Sequence, residues 1–236
     1  MTTPTAVLAF SGGMDSTTLA AHYARTHRLV LLSVDYGQRH RRELDAARQV
    51  AGLLGADEHH VIDLRHLGPL LAGSALTDPS VTVPDGHYED ETMRATVVPN
   101  RNAILANIAV GAAAARGAEV VALGIHAGDH TIYPDCRPEF LDALRDCVRV
   151  ALAGLPIPDV EAPFLTWTKD RIAQYARDID APLHASWSCY KGGTVHCGTC
   201  GTCVERAEAF TLAGVPDPTE YLTPPPLVES TAAARR

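Results

Sequence analysis

Two groups of residues combine types and spacings suited to chemistry. The first is Ser11-Gly12-Gly13-Met14-Asp15-Ser16-Thr17-Thr18, which follows the apolar run Thr5 to Phe10. Paired glycines let the backbone approach a ligand closely, and a helix starting near Asp15 offers free amides beside the hydroxyls of Ser11, Ser16 and Thr17. This turn predicts a nest for phosphate or pyrophosphate; the plainer reading is a tight turn in which Asp15 or Ser16 only caps the helix. Neither lysine, Lys169 or Lys191, follows a glycine, and no G-x-G-x-x-G occurs. The nest is therefore neither a Walker A nor a dinucleotide fingerprint.

The second group is Cys189-x7-Cys197-x2-Cys200-x2-Cys203. Clustered thiols with this spacing suit tetrahedral zinc, with Gly192, Gly193, Gly198 and Gly201 permitting tight turns; a redox C-x-x-C or free core cysteines are the plainer readings. Four thiolates leave no open position on the metal, so its role is structural. His196 is a lesser candidate ligand, read as a solvated neighbour. Cys136 and Cys147 stand apart and read as buried thiols.

The elements that must position these groups follow from apolar periodicity. Strands are expected at 5–10, 29–34, 59–64 and 119–125, and helices at 15–27, 43–54, 102–116, 139–153 and 169–179. Continuous apolar strands alternating with helices indicate a parallel sheet covered on both faces. The segment 68–96, rich in Pro, Asp, Gly and Ser, is too long for an ordinary connection and reads as a mobile or functional loop. We divide the chain into an α/β domain over 1–184, a four-cysteine zinc-binding subdomain with a C-terminal helix over 185–222, and a disordered tail over 223–236. Arg101 starts a helix between Asn100 and Asn102, where a guanidinium can neutralise a phosphate or a carboxylate. Lys169 can reach a phosphate or move a proton, or stand solvated at a helix start. Trp167, Trp187 and Tyr190 can stack on a base, although core packing competes.

The chain has 236 residues, 46% of them hydrophobic, so it can bury a sizeable core. A balance of 20 basic to 28 acidic residues gives a net charge of -8, which disfavours a phosphate-tracking surface and stable nucleic-acid binding. No apolar stretch reaches the length of a membrane span and no basic leader precedes the first strand, so a soluble, cytoplasmic protein is expected.

The octapeptide resembles the SGGxDS signature of the PP-loop ATPases, which bind ATP through its pyrophosphate and activate a carboxyl or carbonyl oxygen by adenylation. Further blocks sharpen the likeness: Asp35-Tyr36-Gly37-Gln38-Arg39, Val98-Pro99-Asn100-Arg101-Asn102, Tyr133-Pro134-Asp135-Cys136-Arg137, and Ser188-Cys189-Tyr190 ahead of the cysteine cluster. Their order is similar to that in the 7-cyano-7-deazaguanine synthase (QueC) family. The resemblance implies a Rossmann-like, adenine nucleotide alpha hydrolase-like parallel sheet with a small C-terminal zinc-binding subdomain. It further implies a homodimeric ligase that uses ATP and Mg2+ to turn 7-carboxy-7-deazaguanine and ammonia into the nitrile preQ0.

Carried onto this chain, the resemblance implies ATP contacts from Phe10, Ser11, Gly12, Gly13, Met14, Asp15, Ser16, Thr17, Thr18, Tyr36, Gln38 and Arg39. Asp15 would be the magnesium partner. Substrate contacts fall to Asn100, Arg101, Asp129, Tyr133, Asp135 and Arg137, with Asp129 or Asp135 on the guanine-like edge. Asp15, Arg101 and Lys169 would act in catalysis, and Cys189, Cys197, Cys200 and Cys203 would bind Zn2+. The chain departs from the family at Ile132 and Asn100, where small residues are usual, and at Gly201, where an acid is common. These changes, placed near the expected substrate pocket, motivate a second reading: transfer of the adenylated deazaguanine to another amine, such as one on a protein. A third is a non-enzymatic zinc-centred interaction module.

Overall fold

A computed structural model describes residues 3–71, 73–78, 80–87 and 94–226. Five strands, β1 (Thr5–Ala9), β2 (Arg28–Asp35), β3 (Glu58–Asp63), β4 (Val120–Ala122) and β5 (Asp159–Glu161), form one sheet in the order β3-β2-β1-β4-β5. All pairings are parallel. The helices are α1 (Met14–Ala24), α2 (Arg42–Leu53), α3 (Arg101–Arg116), α4 (Pro138–Ala151), α5 (Lys169–Asp178) and α6 (Gly201–Ala213).

Side chains alternate across the pleat, so the apolar strands feed two cores. Ala6 and Leu8 join Leu29 and Leu31 under α1, α2, α5 and α6, through Leu19, Val50, Ile172 and Phe210. Val7, Val30 and Leu32 face α3 and α4, through Ala109, Val110, Leu144 and Val148. The sheet expected from the sequence is therefore present, with helices on both faces.

The chain runs outward from β1 to β2 and β3, then returns to the other side of β1 as β4 and β5. Connections leaving β1 and β4 thus diverge at their carboxyl ends and open a crevice there, the usual ligand position in open α/β sheets. The strand expected over 119–125 is ordered as a ladder only at Val120–Ala122. Its continuation crosses the start of α1: a Cβ at Gly124 would lie 3.4 Å from Ser16 N. β5 was not anticipated, because only Val160 of its three residues is buried and no alternation marks it.

Gly12 fixes how the first turn is made. Its φ is +78°, and a Cβ there would lie 2.6 Å from Ala47 N and 2.8 Å from Glu43 O of α2. Only glycine permits this contact between loop and helix.

Parts of 68–96 are packed against the body of the fold, although Leu70 is exposed. Ala75 and Leu76 are fully buried, Ala75 N donates to Ala95 O, and Asp85 bridges to Cys200. Ala75 and Val83 share a small core with Trp187, Cys189, Cys200 and Cys203. At the start of the expected tail, Leu222 N and Thr223 N donate to the carbonyls of His196 and Cys197, while 227–236 lie outside the described residues.

Candidate active site

The loop after β1 and the start of α1 form the floor of the cleft. Ser11 Oγ accepts from Gly13 N at 3.2 Å and lies 3.1 Å from Ser16 Oγ, which donates to Gly13 O at 3.2 Å. No side chain caps α1, so its first amides stay available to an anion. Phe10, Ser11, Gly13, Met14, Asp15 and Ser16 all line the cleft. Thr17 and Thr18, expected in the same cradle, are fully buried outside it, and Thr18 Oγ1 donates to Met14 O at 2.8 Å. Helical periodicity turns them inward. Gly12 likewise lies beneath the floor, against α2.

At one end of the cleft a charged cluster gathers from four segments. Lys169 Nζ, at the first residue of α5, lies 2.8 Å from Glu205 Oε2 and 3.4 Å from Asp15 Oδ2. His126, 1% exposed, places Nε2 3.4 Å from Asp129 Oδ2 and 3.8 Å from Asp15 Oδ2. Its Nδ1 accepts from Gly128 N at 3.1 Å, so Nε2 carries the ring proton toward the carboxylates. Burial works against the Asp15 charge, yet Lys169 and His126 outweigh it and lower the Asp15 pKa. For Asp129 burial prevails over His126 and Lys169, and its pKa is raised. Lys169 is pushed up despite burial by Asp15, Glu205 and Asp129. Asp15 Oδ1 is buried and without a partner among the described residues, an orphan anionic oxygen beside the phosphate nest that suits a divalent cation. His126 and Glu205 were not singled out from the sequence. His126 had a signal in its place just after the fourth strand, whereas Glu205 had none.

Arg101 opens α3 and lines the cleft with Tyr36, Tyr133 and Tyr190. Burial opposes its charge, but the three phenols raise its pKa, and burial pushes the Tyr36 phenol up to about 12. Tyr133 lines the cleft with its hydroxyl 2.6 Å from Thr96 Oγ1. Several expected contacts lie elsewhere. Asp135 accepts from Asn102 N at 2.9 Å, and Arg137 Nε donates to His130 O at 2.6 Å, so both brace loops rather than face a ligand. Gln38 is buried against Val34 O and Glu43, and Arg39 reaches Val81 O on the exposed side.

None of the three departures from the family pattern lines the cleft. Asn100 adopts φ +61°, where glycine is favoured and asparagine is among the least strained replacements. Ile132 packs in the core under α3 and α4, and Gly201 begins α6. Trp187 and Tyr190 do face the cleft, whereas Trp167 lies under the Arg171 guanidinium at 4.0 Å. Cys136 is a buried cleft residue; Cys147, read as buried, is exposed on α4.

The cysteine cluster is assembled as spaced. Sγ atoms of Cys189, Cys197, Cys200 and Cys203 all lie within 4.8 Å of one another. Amides of Cys200 and Thr199 point at Cys197 Sγ at 3.2 and 3.3 Å, the donors a metal-bound thiolate needs. His196 is not solvated: it is buried, and its Nε2 accepts from Ser188 N at 3.1 Å. Burial depresses its pKa to about 4, so the ring is neutral. Arg206 in α6, fully buried, donates to Ser186 Oγ at 2.9 Å, Ser188 Oγ at 3.1 Å and Leu183 O at 3.0 Å. The helix that begins at the cysteine cluster thereby holds the segment carrying Trp187 and Ser188 against the cleft.

A parallel sheet with a glycine-rich loop at its switch point, beside four cysteines gathered so that they could hold a metal, is the fold of the PP-loop ATPases. Residues 5–214 match the family model described as Queuosine biosynthesis protein QueC. The chain is 58% identical over 216 residues to the 7-cyano-7-deazaguanine synthase of Rhizobium meliloti, covering 91% of this chain and 90% of that protein. It is 55% identical over 224 residues to that of Sinorhizobium fredii, covering 94% of each. Among solved structures it is similar, with a TM-score of 0.48 and 17% identity, to the U34-tRNA thiolase NcsA from Methanococcus maripaludis, over 80% of this chain and 62% of that one. The chain belongs to the QueC family. Among the described residues no helix is long and apolar enough to cross a membrane.

Proposed function

We propose that this chain is an ATP-dependent ligase that converts 7-carboxy-7-deazaguanine and ammonia into 7-cyano-7-deazaguanine. The observation that carries this reading is 58% identity over 91% of the chain to a relative of that name, joined to a cleft floored by Ser11, Gly13 and Ser16. A carboxylate oxygen attacks the α-phosphorus of ATP and pyrophosphate leaves. Ammonia adds to the acyl carbon, loses a proton and expels AMP, which carries that oxygen away and leaves the amide. The amide oxygen then attacks a second ATP, and loss of two N–H protons with a second AMP gives the nitrile.

The residues have roles suited to these steps. Ser11, Ser16 and the first amides of α1 cradle the pyrophosphate, and Arg101 pairs with the substrate carboxylate or a phosphate. Lys169 steadies charge on the departing phosphates. Asp15, with its orphan oxygen, would hold the magnesium that accompanies ATP, which supplies charge neutralisation at the phosphates. Asp129 faces the same space with a raised proton affinity suited to accepting a nitrogen-bound proton. Zn2+ would be held by Cys189, Cys197, Cys200 and Cys203 in a purely structural role.

We further propose that residues 1–184 form the ATP-binding domain and 185–222 the zinc subdomain of a cytoplasmic homodimer. Transfer to a different amine draws no support, since Ile132 and Asn100 lie outside the cleft. A non-enzymatic module finds none in an intact loop. The test is mass spectrometry of products after incubation with ATP, magnesium, 7-carboxy-7-deazaguanine and ammonium. The nitrile is the expected product; carboxylate-dependent ATP use that stops at the amide would overturn the reading.

A further inference from the structure

Beside the glycine-rich loop one hydroxyl has a fixed oxygen and an unspent proton. Trp187 N donates to Gly12 O at 2.9 Å, and a Cβ at Gly13 would lie 3.6 Å from Trp187 O, so Ser188 stands one peptide link from the floor of the cleft. It is half-buried and lines that cleft together with Thr202 and Glu205 of α6. Its oxygen accepts from Arg206 Nη1 at 3.1 Å, and its amide donates to His196 Nε2 at 3.1 Å. A guanidinium only donates, so the Ser188 proton cannot go to Arg206 and needs an acceptor elsewhere. Ser186, the other hydroxyl on Arg206 Nη1, spends its proton on Leu183 O at 2.7 Å. Among the described residues nothing accepts the proton of Ser188.

The charge behind this hydroxyl says what it would bind. Arg206 is fully buried, with Nε 3.5 Å from Asp217 Oδ1 and Nη1 turned to the two serines. It is among the charges that lower the Asp15 pKa, so its field is felt inside the cleft. A hydroxyl whose oxygen accepts from a cation is a stronger donor, because the cation draws electron density from the O–H bond. The fitting acceptor is an anionic oxygen. With amide and oxygen both tied, the donor is already oriented and little ordering is left for a ligand to impose. Contact of Trp187 with Gly12 and Gly13 puts this donor on the phosphate side of the cleft.

We propose that Ser188 is a phosphate-binding residue outside the glycine-rich loop: backed by Arg206, it donates its hydroxyl to the pyrophosphate portion of ATP. The assignment rests on the ATP use proposed above and not on the identity of the carboxylate. Ser188→Ala removes the donor and leaves Arg206 its bonds to Ser186 and Leu183, whereas Ser188→Thr keeps a hydroxyl. Titration calorimetry with magnesium pyrophosphate and, separately, with AMP reads binding without turnover. Ser188→Ala is expected to weaken pyrophosphate binding about tenfold or more with AMP binding within about twofold, and Ser188→Thr to hold pyrophosphate within about threefold. Unchanged pyrophosphate affinity in the alanine variant, or equal losses for pyrophosphate and AMP, would overturn the assignment, as would a threonine variant as weak as the alanine one. Because binding alone is read, these outcomes judge Ser188 whether or not the nitrile forms. Failure of the unsubstituted chain to bind pyrophosphate would remove the ATP role of the loop and the assignment with it.

Discussion

Lys169 is the residue on which the electrostatics of the cleft turn. One ammonium, 17% exposed, faces Asp15 and Glu205 directly and feels Asp129, so removing it leaves three carboxylates in mutual repulsion. We expect Lys169→Met to destabilise the fold by about 2–3 kcal/mol and to lower turnover by about a hundredfold or more. Adding Glu205→Gln should restore about 1 kcal/mol of stability without restoring turnover, because the two sites are coupled through the same charge. Denaturant unfolding of the single and double variants checks this; strictly additive losses would mean that Lys169 and Glu205 do not act as a pair.

At the scale of elements, α6 links the cysteine cluster to the cleft. Cys200 stands at the N-cap position of the helix, Cys203 lies in its first turn, and Glu205 and Arg206 follow, one touching Lys169 and the other holding 183–188. A metal that fixes the first turn therefore also fixes two supports of the cleft. Replacement of Cys200 by Ser should release about one equivalent of metal and lower Tm by about 5–10 °C. Turnover should fall with it, since Glu205 loses its register against Lys169. Full metal content with an unchanged Tm would show that Cys200 is not a ligand. The same elements mark what was legible beforehand. Strands β1 and β2 are continuous apolar runs that must be buried on both faces, and the cysteine spacing already described the cluster. β5 left no trace, because three residues with one buried valine are ordered only by the ladder that β4 offers them.

In the molecule as a whole, the cleft is made where segments distant in the chain converge at the carboxyl ends of the strands. Residues on the pyrophosphate loop could be named in advance because their chemistry is local. Local proximity also misled: Thr17 and Thr18 sit in the same motif but helix geometry buries them, and Gln38 and Arg39 brace the turn whose cleft-facing members are Tyr36, His40 and Glu43. His126, Glu205 and Arg206 gain their roles only through tertiary contacts, which no spacing encodes. On the function proposed above, the convergence serves to move both carboxyl oxygens of the substrate onto phosphorus in turn. The most direct measurement is therefore turnover of 7-carboxy-7-deazaguanine labelled with 18O at both carboxyl oxygens, with mass analysis of the AMP formed. Two successive adenylations place one labelled oxygen in each AMP and none in pyrophosphate or water. Label recovered in water, or retained in an amide product, would contradict the account.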